Sequence, residues 1–148
     1  MQTVNKNVMV LVHPGSACGS ADFNLGDEAA PLRDALASEI MKWKGDVFIL
    51  DGELSDELDH YATLGLAVQA CKDTSDQHVV REMACALTME NWVDVAMKRF
   101  EAEWPGGPHR ILLTGAWTEP DKSGCVDAMA EALGGHDITI SQNALSCS

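Results

Sequence analysis

The sequence predicts an α/β fold: a small three-layer α/β/α domain around a four-stranded parallel sheet, in the order 2-1-3-4. Three observations carry this. Short aliphatic, β-branched runs alternate with longer stretches in which apolar residues recur every three or four positions. The runs end in clusters of Gly, Pro, Asp or Ser, which turn the chain. With strands and helices alternating, right-handed crossovers place helices on both faces of a parallel sheet.

The first run, Val8-Met9-Val10-Leu11-Val12, has no polar alternation, as expected of a strand covered on both faces. It stops at His13-Pro14-Gly15, and the small residues from Gly15 to Asp22 read as a loop. A helix follows, with Asp27 and Glu28 in its first turn, Leu32, Leu36, Ile40 and Trp43 on one face, and Lys42, Lys44 and Gly45 at its end. Val47-Phe48-Ile49-Leu50 is the second strand, closed by Asp51-Gly52. Leu54, Leu58, Tyr61, Leu64, Val68 and Cys71 then mark an amphipathic helix. Beyond a polar break at 73–77, Val80, Met83, Ala84 and Leu87 give a further helical face. Trp92, Ala96 and Phe100 give another, with Val93 and Met97 beside them, and Pro105-Gly106-Gly107-Pro108 ends it. Ile111 to Thr114 is the third strand and Gly115 to Ser123 a loop. Val126, Met129, Ala130 and Leu133 line a short helix ended by Gly134-Gly135, and Asp137 to Ile140 is the fourth strand.

The chain of 148 residues is read as one domain spanning 1–148. Its formal charge of -13, with ten basic residues scattered singly, argues against nucleic acid and anionic membranes as partners. No apolar run approaches the ~18 residues of a membrane helix. The polar start lacks the parts of a secretory signal, which places the protein in the cytoplasm. Five cysteines without paired spacing are expected as thiols there.

In open parallel sheets ligands bind beyond the carboxyl ends of the strands, where the strand order reverses. Here that point lies between the first and third strands, which selects His13 and its loop, Asp51, and the segment from Gly115 to Cys125. Cys125 is the most informative residue. With Ser123 as N-cap it falls in the first helical turn, where the positive end of the helix favours a nucleophilic thiolate. A small buried thiol would equally suit packing under the strand. Cys71 and Cys85 lie on apolar helix faces and read as core.

The segments Ile111 to Thr118, Cys125 to Gly135 and Asp137 to Ala144 resemble the isochorismatase-like cysteine hydrolases, in which a strand leads through a Gly-rich turn to a catalytic cysteine opening a helix. Asp22-Phe23 and the strand ending in Asp51 are similar to that family in order. The resemblance implies that Cys125 is a nucleophile. The family's aspartate after the first strand is replaced by His13, and its catalytic lysine has no counterpart. The residues present supply another set: His13 as general base, with Asp22 or Asp51 orienting its ring. Backbone groups around Gly15, Ser16, Gly19 and Ser20 would bind an oxyanion or a substrate carboxylate, with Gly115 in the second loop. Trp117 would wall a pocket or pack on Pro120.

Two metal readings were weighed. Asp51, Glu53 and His60 are similar to a ligand trio of some amidases in that family, and Cys18 and His13 with Cys125 could form a zinc site or a redox pair across the sheet edge. Neither spacing is specific, so no metal and no cofactor is expected. The glycine spacing of 15–20 also misses the dinucleotide fingerprint and the P-loop. The expected activity is a small-molecule, amidase-like cysteine hydrolase. The alternatives are a non-catalytic domain binding a small molecule or anion, and an interaction module; the apolar, Met- and Trp-bearing helices suit a homodimer.

Overall fold

The structure, a computed structural model, describes residues 6–12, 29–51, 67, 70, 73, 78–84, 91–118, 121 and 124–146. Strand β1 (Asn7–Val12) leads to helix α1 (Ala29–Lys42) and strand β2 (Asp46–Asp51). Ala67, Ala70 and Asp73 are helical. Then come β3 (Val80–Ala84), α2 (Trp92–Glu103), β4 (Arg110–Thr118), α3 (Cys125–Ala132), β5 (Asp137–Ile140) and the two-residue β6 (Leu145–Ser146). The sheet runs β3-β2-β1-β4-β5 with every pairing parallel, and β6 pairs with the far end of β4. Among the described residues no helix is long and apolar enough to cross a membrane.

Pleating explains the uninterrupted apolar run of β1. Val8, Val10 and Val12 turn to one side and join Phe48, Leu50, Ile111 and Leu113 in a core closed by Ala96 and Phe100 of α2 and Val126, Met129 and Leu133 of α3. Met9, Leu11, Val47 and Ile49 turn to the other side and are equally buried, as are Leu36, Ala37 and Ile40 of α1 and Ala67. Both faces are therefore covered. A fully buried side chain of this size contributes about 2 kcal/mol, which is why β1 carries no polar residue beyond the exposed Asn7.

The α/β class with a parallel sheet is as the sequence predicts, but the strand count is not. Val80–Ala84, expected to be helical, is an edge strand with Val80 opposite Val47 and Met83 opposite Leu50. Val80, Met83 and Ala84 fit a helical period, and only the distant partner β2 decides for strand. Arg81 and Glu82 face water, and Arg81 Nε reaches Glu103 of α2 at 3.1 Å. A second correction concerns Gly115–Thr118, expected in a loop. Strand β4 continues through them, because β6 supplies a partner at Ala116 and Thr118.

At the amino-terminal end of the sheet, Asp46 holds three segments together. Its Oδ1 accepts the Val79 N–H at 3.0 Å, its Oδ2 the Trp104 Nε1–H at 2.8 Å, and its carbonyl the Trp43 Nε1–H at 2.9 Å. Phe48, Phe100 and Trp104 cluster beside it with ring centroids 5.1 to 6.1 Å apart. Two histidines extend this cluster. The His109 and His136 rings stack at 5.4 Å, with Phe100 edge-on to both. His109 Nδ1 accepts the Lys6 N–H at 3.1 Å, so the ring proton is on Nε2, 3.2 Å from the Trp104 carbonyl. The His109 N–H in turn donates to His136 Nδ1 at 3.0 Å. Burial and the neighbouring His109 hold His136 below its ordinary pKa of 6.5, against an opposing pull from Glu101.

Candidate functional site

The strand order reverses between β1 and β4, and the carboxyl end of β1 lies close against β4. Val12, the last residue of β1, is opposite Gly115. Gly115 has φ +110, and a Cβ there would lie 2.1 Å from the Val12 carbonyl oxygen. Only glycine allows this approach, so Gly115, a candidate binding residue, has a backbone role at the rim. Next to it, the fully buried Thr114 Oγ1 has no hydrogen-bond partner among the described residues. This residue was missed by sequence reasoning, since an unsatisfied hydroxyl has no local signature.

Cys125 is the first residue of α3, which follows the carboxyl end of β4. It is a half-buried thiol, not a disulfide, and packs on the core formed by Val12 and Val126 among others. The cap differs from expectation by one position: it is Gly124, in extended conformation, rather than Ser123. The Gly124 N–H donates to Asp127 Oδ2 at 3.2 Å, while the Gly124 carbonyl accepts the Ala128 N–H at 2.9 Å. A carboxylate therefore lies within one turn of the thiol. It opposes the helix's attraction for a second negative charge there.

On the opposite face of the sheet, the segment after β5 is tied to α1. Ser141 Oγ lies 2.6 and 2.7 Å from the two carboxylate oxygens of Glu39, and Asn143 Nδ2 donates to the same group at 3.2 Å. The Asn143 N–H donates to Ser141 Oγ at 2.9 Å. This network closes α1 over the end of β5.

Of the expected site residues, Gly115 is within β4, opposite the last residue of β1, Cys125 opens the helix that follows β4, and Trp117 is in the strand rather than a loop. Asp51 is the last residue of β2. His13, Gly15, Ser16, Gly19, Ser20 and Asp22 lie outside the described residues, as do Cys18, Glu53 and His60 of the metal readings. Among the described residues no group of three or more His, Cys, Asp or Glu is gathered to hold a metal ion. Compared with protein-family models, curated proteins and solved structures, the chain gives no match in any of the three.

Proposed function

We propose that the protein is a small-molecule cysteine hydrolase of the amidase type, working in the cytoplasm with Cys125 as nucleophile. The observation that carries the reading is the position of this half-buried thiol, opening a helix after the strand at which the sheet order reverses. The Cys125 thiolate attacks the substrate carbonyl carbon, forming a C–S bond. Collapse of the tetrahedral species breaks the C–N bond, and the leaving amine takes its proton from His13. Water, giving a proton to His13, then attacks the thioester and returns the thiolate. Asp22 or Asp51 orients His13, and the N–H groups of the loop holding Gly15, Ser16, Gly19 and Ser20 receive the oxyanion.

The test is competitive alkylation with limiting iodoacetamide at neutral pH, read by peptide mass spectrometry. Cys125 is expected to react about tenfold faster than Cys18, Cys71, Cys85 or Cys147. Uniformly slow labelling overturns the assignment.

The Asp127 carboxylate favours a second reading, a domain that binds a small molecule or anion without catalysis. Under this reading a metabolite raises the melting temperature and does so equally in Cys125→Ser. A homodimer is a further part of the proposal: β5 is the edge of the sheet and leaves Ile140 41% exposed, as Met41 on α1 is at 60%.

A further inference from the structure

Away from the rim that carries Cys125, a groove of about 470 Å³ opens at the amino-terminal ends of the strands. Its floor follows from the register. Asn7, Arg110 and Asp137 are the first residues of β1, β4 and β5 and lie side by side, with Leu112 and Thr139 forming the next row on the same face. Its wall is the end of α1, where Lys42, Trp43 and Lys44 line the opening. A second hollow of about 460 Å³ continues along α1 and shares Lys42 and Trp43.

The charge of this groove is opposite to that of the molecule. The chain carries ten basic residues against 23 acidic ones, yet three cations line the groove and only one acid, Asp137. Among the described residues no ion pair engages Lys42, Lys44 or Arg110. Lysines at a helix end are commonplace, but Arg110 is brought to the same groove from a strand, and the Trp43 ring lines it with them. Trp43 is held in place by its Nε1–H donating to the Asp46 carbonyl, and its ring packs so closely on Gly45 that a Cβ there would come within 3.2 Å. The groove thus combines a fixed flat ring, three cations and an aliphatic floor at Leu112.

We infer that this groove binds a small organic anion with a flat apolar body, the body lying against Trp43 and Leu112 and the anionic group meeting Arg110 and the two lysines. The ligand is bound by shape and charge together, so a neutral molecule of the same shape is a poor ligand. The site is independent of any chemistry at Cys125.

The probe is 2-naphthoate, titrated into the ¹⁵N-labelled full chain, with 2-naphthamide as its neutral counterpart. The Trp43 Nε1–H, Arg110 and Leu112 resonances are expected to move together and saturate. The amide and the Lys44→Gln/Arg110→Gln double variant are each expected to bind about tenfold more weakly, the effect of losing one or two charge-assisted contacts. Because both substituted side chains are exposed, an unchanged melting temperature shows that the variant is folded. Cys125→Ser binds as the wild type does. The inference is overturned if these resonances stay still at millimolar naphthoate, if the amide or the double variant binds equally well, or if the shifts centre elsewhere. It is also overturned if the same resonances move with protein concentration alone, which would give the groove to a second copy of the chain.

Discussion

Thr114 buries a hydroxyl that no acceptor or donor meets among the described residues, and a group of this kind costs about 1–3 kcal/mol relative to water. Valine has the same shape without the penalty. Thr114→Val is therefore expected to raise the urea midpoint, by about 1 kcal/mol in stability; a lower midpoint would mean that the hydroxyl is satisfied by a partner. Asp127 poses the opposite case. Its carboxylate caps the Gly124 N–H and puts a negative charge within a turn of Cys125. Asp127→Asn keeps an acceptor and removes the charge, so alkylation of Cys125 should quicken about threefold, a gain of the size expected from a screened charge near a helix end. Stability should fall by no more than about 1 kcal/mol, the worth of a cap. These two residues differ in how readable they are. Cys125 and Asp127 share one helix start, and that start is visible along the chain, displaced by one position at the cap. Thr114 looks like any strand residue, because its lack of partners depends on neighbours far away in sequence.

Among the elements, strands with an apolar signal of their own were legible, the edge strand β5 included, and those that depend on a distant partner were not. Strands β1, β2, β4 and β5 were each marked by a local apolar run, and they keep the expected relative order within the sheet. β3 was read as helix because an edge strand with Arg81 and Glu82 in water leaves only Val80, Met83 and Ala84 as signal, a spacing that suits either period. The extension of β4 depends on β6, a two-residue partner too short to announce itself. What fixes β3 instead is Asp46, whose carboxylate accepts the Val79 N–H just before that strand and the Trp104 indole just after α2. Asp46→Ala leaves both donors without their acceptor and is expected to cost about 2–4 kcal/mol by chemical denaturation. Asp46→Asn retains one acceptor and should lose about half as much. Equal losses in the two variants would show that the charge, rather than the pair of hydrogen bonds, holds β3 and α2 to β2.

Two conditions act on the molecule as a whole, and they pull in opposite directions as acid is added. The His109 and His136 stack joins the start of β4 to the turn before β5, and burial together with the neighbouring His109 holds the His136 pKa below its ordinary 6.5. The unfolded chain takes up that proton near 6.5 and the folded chain only at lower pH, so in this interval the unfolded state binds more protons and stability falls as pH falls. Acid also begins to relieve the repulsion of a chain with formal charge -13, which stabilises it. His136→Asn separates the two. Asn offers an oxygen to the His109 N–H in place of Nδ1 but does not titrate, so the variant should lose less stability than the wild type between pH 7 and 5. Salt isolates the remaining effect at fixed pH. Charges across a domain with a radius of gyration of about 15 Å all repel one another when the Debye length is about 30 Å, and only near neighbours do so at about 8 Å. The exposed Arg81–Glu103 pair loses little on screening, since such pairs are worth about 0–1 kcal/mol. Repulsion among 23 acidic groups dominates, and raising NaCl from about 10 to 150 mM is expected to raise the melting temperature by several degrees. A flat or falling curve would show the excess negative charge to be already neutralised in the folded state. At equal ionic strength sodium 2-naphthoate should stabilise more than NaCl, and the excess should shrink in Lys44→Gln/Arg110→Gln, because occupancy of the groove, and not screening, distinguishes the two anions.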